Sequence, residues 1–245
     1  VKPFIMVSTR PEIEAAENEY ESFRVHGGLE PEQLTHVMLE EDDLTSAVDP
    51  GAVSGVIIGG SPYDASTPFD AKTRTQVRVE EEVGELLATA LKDGVPVLAT
   101  GFGLEVLAGY LGTATSTGFG EELGAADLFL TEEGRKDPVL AGLPETFRVF
   151  VGHHEGAVEV PAHSVLLASS PDCPVQMIRV GERLYGTQFN PELDADHVTQ
   201  RISAYLDAGY GDPGQLEVVL SEARLSDGNV AGRIVRNFVE HFAQD

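Results

Sequence analysis

The sequence predicts an α/β sandwich in which a mostly parallel central sheet, covered by helices, runs on into an antiparallel extension. Three observations predict it. Short apolar runs of strand length alternate with long amphipathic helical patterns through the first half of the 245-residue chain, which is the signature of parallel strands joined by helical crossovers. Close-spaced strand candidates with turn residues between them follow in the second half. Helical periodicity returns after Pro191.

Taken in order, "FIMVS" (4–8), "HVML" (36–39), "VSGVIIGG" (53–60) and "VPVLAT" (95–100) have the length and β-branched content of buried strands. Residues 11–26 open with Pro11 and stop at Gly27 and Gly28, a helix with start and stop signals. Residues 70–92 place Val83, Leu86, Leu87, Ala90 and Leu91 on one helical face before Asp93 and Gly94. Strand candidates then fall at 126–131, 148–152, 164–169, 175–180 and 183–189, with a hairpin turn at Gly181 and Glu182, and are expected to form the antiparallel extension. "DADHVTQRISAYLDAG" and "NVAGRIVRNFVEHF" are helical, the second with a stripe of Ile234, Val235, Phe238, Val239 and Phe242. The absence of internal repeats and of a low-complexity linker favours one domain over residues 1–245 with a helical C-terminal extension from about 193, expected to pack on the sheet. The acidic "EEDD" at 40–43 reads as a solvated loop.

Composition narrows the function classes. With 42% hydrophobic residues the chain is globular, and 41 acidic against 16 basic residues give a net charge of −25. Such a charge repels phosphates and anionic lipid, so neither nucleic acid nor a membrane is expected as a partner. No apolar run is long enough to span a bilayer, and the N-terminus lacks a signal-like segment, so a cytoplasmic location is the expectation. The single cysteine, Cys173, excludes an intrachain disulfide framework and fits a reducing compartment.

Chemistry concentrates in a few stretches. "PVLATGFGLEVLAGYLG" (96–112) reads as a buried strand, a tight glycine turn and a helix, the layout that holds a nucleophile at its apex; the apex here is Gly101. "GVIIGGSPYD" (55–64) is a strand ending in a glycine loop, and "YGTQFNPE" (185–192) lies beyond "VGHHEGAVEVP" (151–161) and "SSPDCPVQMIRVGERLYGTQF" (169–189). Together, in this order, these stretches resemble the class I glutamine amidotransferases, in particular stand-alone members similar to the glutaminase part of GMP synthase. The resemblance covers the chain to about residue 192 and implies a flavodoxin-like three-layer sandwich.

The family's chemistry needs a thiolate at the turn, a histidine base, an acid that orients it, oxyanion donors and a recognition pocket. Carried over by resemblance, the nucleophile position is Gly101, the base position is Asn190 and the orienting acid is Glu192. Glycine has no nucleophile and an amide does not titrate near neutral pH, so neither fills its role. The resemblance places oxyanion donors at the backbone amides of Gly60 and Phe102, with Gly59 and Gly103 permitting close approach. Glu105 stands where the family has a substrate-binding glutamine, and Ser61, His153 and His154 border the pocket. Adjacent strand residues face opposite ways, so only one of the two histidines is expected in the cleft. Ser61 is expected to cap its loop and Cys173 to be packed. His26, His36, His163, His197 and His241 show no metal-ligand spacing, and no metal or cofactor is expected.

The leading expectation is a pseudoenzyme that has lost glutamine hydrolysis and binds a small molecule, glutamine-like or another carbonyl compound, or a protein partner. The alternatives are different chemistry in the same cleft, using Glu192, a histidine and the oxyanion amides, or a residual glutaminase with water in place of the thiol. The oligomeric state is left open.

Overall fold

The computed structural model describes residues 2–42, 44, 49, 51–207, 214, 221 and 230–245. Nine strands form one sheet in the order β2-β1-β3-β4-β11-β10-β9-β6-β7. They are β1 (Phe4–Ser8), β2 (Leu34–Met38), β3 (Gly55–Ile58), β4 (Val97–Thr100), β6 (Glu121–Leu130), β7 (Thr146–His153), β9 (Ser164–Ser169), β10 (Met177–Val180) and β11 (Leu184–Thr187). A separate small ribbon joins β5 (Thr115–Ser116) to β8 (Gly156–Ala157). The helices are α1 (Ile13–Gly27), α2 (Arg74–Asp93), α3 (Phe102–Tyr110), α4 (Ala195–Asp207) and α5 (Gly232–Phe242).

The α/β sandwich with a mostly parallel centre is as the sequence predicts, with one change of topology. The strand at 184–187 was grouped with the antiparallel extension, but β11 pairs parallel to β4 and antiparallel to β10. It is therefore the last strand of the parallel block, and the antiparallel part begins at β10. Its four residues are all buried, as a strand covered on both faces requires. Two other strands are longer than their apolar cores suggested, β7 extending over Thr146–His153 on both sides of the expected 148–152. β6 starts at Glu121, because the polar and glycine residues before Ala126 pair with β7 despite their composition.

Strand alternation sorts the core into two layers. Phe4, Met6, Ile57, Leu98 and Tyr185 face α1 and α5, while Ile5, Val7, Val56, Ile58, Val97 and Ala99 face α2 and α3. α2 begins at Thr73, whose side chain accepts from Gln76 N–H, and stops at Gly94 in the left-handed conformation. Of its expected face, Val83, Leu86, Leu87 and Ala90 are buried and Leu91 is half-buried. In α5 the whole expected stripe is buried, and Phe238 touches the rings of Phe4, Tyr185 and Phe242. The C-terminal helix thus closes the sheet face beside α1. The last two residues of the 194–209 helical pattern, and Asp43 of the acidic loop, lie outside the described residues. Within that loop Glu40 is tied down, accepting from the Tyr63 hydroxyl at 2.6 Å. Among the described residues no helix is long and apolar enough to cross a membrane.

Phe238→Ala is expected to destabilise the protein by about 3–5 kcal/mol, the cost of emptying a fully buried aromatic site. Urea unfolding measures it.

Candidate functional site

Three neighbouring parallel strands end side by side, and the loops leaving their C-terminal ends meet. After β3 come Gly59, Gly60 and Ser61, after β4 comes Gly101, and after β11 comes the segment from Gln188 to Glu192. Ligand clefts of open α/β sheets form at such ends. Thr100 Oγ1 donates to Ile58 O at 3.0 Å, and Gly101 N–H donates to Thr187 O at 2.7 Å, so the turn is pinned to both neighbours.

Gly101 has φ 52° and ψ −114°, a backbone conformation that costs a residue with a side chain about 1–3 kcal/mol. A Cβ built there would lie 3.6 Å from Asn190 Oδ1 and 3.6 Å from Gly60 Cα, so the site has room for a side chain aimed at the substituted base. The structure therefore brings Gly101, Asn190 and Gly60 together. Gly103 lets α3 lie close on the sheet, since a Cβ there would meet Ala99 Cβ at 3.1 Å. Phe102 is the first residue of α3, so its N–H lacks an intrahelical acceptor and remains a donor at the elbow.

The second oxyanion donor is engaged, contrary to the expectation from sequence. Gly60 N–H donates to Glu19 Oε1 at 3.0 Å, and a Cβ at Gly59 would collide with the same carboxylate. Glu19 is fully buried on α1 and is held by Arg10, whose Nε donates to Oε1 at 2.9 Å. Its presence was legible in part, because Glu19 falls in line with Ala15 and Phe23 on the buried face of α1, where an unpaired charge would be prohibitive.

Glu192 is also turned to other work. Its Oε1 accepts from Arg201 Nη1 at 2.7 Å, and Arg201 Nη1 lies 3.8 Å from Glu19 Oε1. Burial, reinforced by the negative Glu19, raises the Glu192 pKa, and Arg201 opposes the rise. Two buried carboxylates and two buried guanidiniums thus bind α1, the turn after β1, the glycine loop and α4 into one network. Asn190 Oδ1 is buried and has no hydrogen-bond partner among the described residues.

On the other side of Gly101, Glu105 is buried and accepts from Gln188 Nε2 at 3.2 Å and from Ala65 N–H at 3.4 Å. Burial first, then the neighbouring Glu155 carboxylate, push its pKa well above the carboxylate range. Glu155 is fully buried and accepts from Ser66 N–H at 2.9 Å, while its Oε2 has no N–H donor. Protonation of Glu105 is thus easier here than for a carboxyl group in water.

The histidines separate as strand alternation requires. His153 is buried, with Nε2 2.8 Å from Glu121 Oε2 and Nδ1 2.8 Å from Glu155 O, whereas His154 is exposed and lies 3.1 Å from Asp64. Among the described contacts of the two histidines, none is with Gly101, Asn190 or Gly60, so neither enters the elbow. Ser61 Oγ donates to Thr9 O at 2.9 Å and accepts from Tyr63 N–H, so it caps its loop as expected. Cys173 is buried, burial pushes its thiol up to about 12, and it bonds only toward Val175 O. It is no replacement nucleophile. A separate groove of about 580 Å³ runs along Glu121 to Asp127 and Ser170 to Asp172, away from the elbow.

A strand, a glycine elbow and a helix N-terminus facing a glycine loop and a Gln-Phe-x-Pro-Glu segment define a glutaminase-type amidotransferase architecture. The Glutamine amidotransferase class-I family model matches residues 19–204, and the chain belongs to that family. GMP synthase [glutamine-hydrolyzing] from Listeria welshimeri is 29% identical over 172 residues, covering 70% of this chain and 28% of its own length. The Syntrophomonas wolfei protein of the same name is 35% identical over 101 residues, covering 41% of this chain and 19% of its own. The chain thus spans little more than a quarter of the curated relatives it matches. Its fold is shared with a glutamine amidotransferase from Thermotoga maritima at a TM-score of 0.74, 19% identity and full coverage of both chains. One from Methylobacillus flagellatus gives 0.70 at 15% identity, covering all of this chain and 97% of the other.

Because Glu105 binds its proton more tightly folded than unfolded, its contribution to stability is lost as pH rises from the ordinary carboxylate range through the elevated folded value. Glu105→Gln, which keeps both an acceptor for Gln188 and a donor for Glu155, is expected to gain stability relative to the parent as pH rises through that window. Melting temperatures of the two proteins across acid to neutral pH measure the difference; parallel curves would contradict a raised Glu105 pKa.

Proposed function

We propose that this chain is a pseudoenzyme of the amidotransferase fold, similar to the GMP synthase glutaminase, that has given up glutamine hydrolysis and keeps its cleft for binding. Gly101 carries the reading. The elbow retains its strained geometry and room for a side chain, yet supplies no nucleophile, and Asn190 opposite it supplies no base. The Gly60 donor bonded to Glu19 and the Glu192 carboxylate bonded to Arg201 point the same way.

The ligand this cleft suits is a small carboxamide or amine compound. Asn190 Oδ1 and Gln188 Oε1 are buried acceptors without donors, and a ligand N–H group would satisfy them. A protein partner that reads the occupied cleft fits the same role, and the lone buried Cys173 fits a reducing, cytoplasmic setting. A second reading, acid and base chemistry on another amide, leans on the Glu105 and Glu155 pair.

The test is ammonia release from L-glutamine. The parent protein is expected to show no turnover beyond the roughly 10³–10⁴-fold acceleration that binding and oxyanion contacts alone can leave. Turnover at the rate of an intact glutaminase would overturn the reading. The double variant G101C/N190H restores both side chains. It is expected to stay about 10²–10³-fold below an intact family member, the usual cost of one missing oxyanion donor.

A further inference from the structure

A second cluster lies outside the cleft, where the C-terminal end of α1 meets the start of α4. His26 Nε2 is 3.1 Å from Asp194 Oδ2, and His197 Nδ1 is 2.8 Å from Asp194 Oδ1. The three side chains offer donor atoms that all lie within 4.8 Å of one another, and each is half-buried at the surface. His26 stands 168 positions from Asp194, so no spacing pattern in the sequence reveals the group.

We infer that His26, Asp194 and His197 form a binding site for a borderline divalent transition cation of the zinc type. Bonds of about 2.0–2.2 Å in tetrahedral geometry need donors somewhat over 3 Å apart, close to the separations seen. Two imidazoles and one carboxylate suit such an ion and not calcium or magnesium, which prefer oxygen. The carboxylate is already aimed, because Asp194 Oδ1 accepts from the backbone N–H groups of Asp196 and His197. Those outer contacts orient a ligand before the ion arrives. The net negative charge of the chain favours cation approach.

The location gives the ion a role. Asp194 follows Glu192 by two residues, and His26 sits on the helix that carries Glu19. A bound ion would clamp α1 to the segment bearing Asn190 and Glu192, fixing one wall of the cleft. The trio of half-buried Glu121 and His153 with buried Cys173 is the competing cluster, and its thiol holds its proton tightly.

Chelator-treated full-length protein titrated with Co²⁺, followed by Zn²⁺ competition, tests the site. The expected result is one equivalent bound with a tetrahedral visible band and no thiolate charge-transfer band. His26→Gln and His197→Gln leave the Asp194 cap intact and are each expected to weaken binding at least about tenfold, while His241→Gln leaves it unchanged. In the parent, Zn²⁺ is expected to shift the imidazole nitrogen signals of His26 and His197 by NMR, a readout that needs no variant. Absence of saturable binding, parent-like affinity in both variants, or a thiolate band removed by Cys173→Ala would overturn the site.

Discussion

The interaction on which the rest of the site depends is the buried network of Glu19 and Glu192 with Arg10 and Arg201. All four side chains are withdrawn from solvent, so each charge is tolerable only because the others are present. Removing one partner of such a set costs about 3–5 kcal/mol, whereas the intact set need contribute little net stability. Its consequence is positional. By holding Gly60 N–H on Glu19 and Glu192 on Arg201, the network fixes the loops that follow β3 and β11.

Seen from this network, the separate substitutions are mutually consistent. A cysteine at position 101 would bear the strain of φ 52°, and glycine does not. With no thiolate to serve, a titrating base at position 190 has no task, and an acid at 192 is available for structural pairing. Glu105 lies beside Gln188, and burial together with the neighbouring Glu155 raises its pKa, so this wall of the cleft holds a readily protonated acid and buried amide oxygens.

Much of this was legible in the sequence, for identifiable reasons. Periodicity located β1, β4, α2 and α5, because burial on both sheet faces and one helix stripe dictates residue type. Motif order located Gly101, Asn190 and the glycine loop, because close chain approach demands those residues. The parallel pairing of β11 was not legible, since a four-residue strand reads the same in either direction. Nor were the partners of Gly60 and Glu192, because Glu19 comes from a helix 41 residues before Gly60, and Arg201, nine residues past Glu192, shows no pattern in the sequence that aims it back at that carboxylate. Pairing of His26 with His197 is hidden for the same reason.

The state of the Gly60 amide tests the central claim most directly. Hydrogen exchange read by NMR on the parent protein is expected to find this amide as protected as those of β1, because its acceptor is a fully buried carboxylate. Exchange at the rate of exposed loop amides would mean that Glu19 leaves the donor open, and that the cleft is still set for an oxyanion.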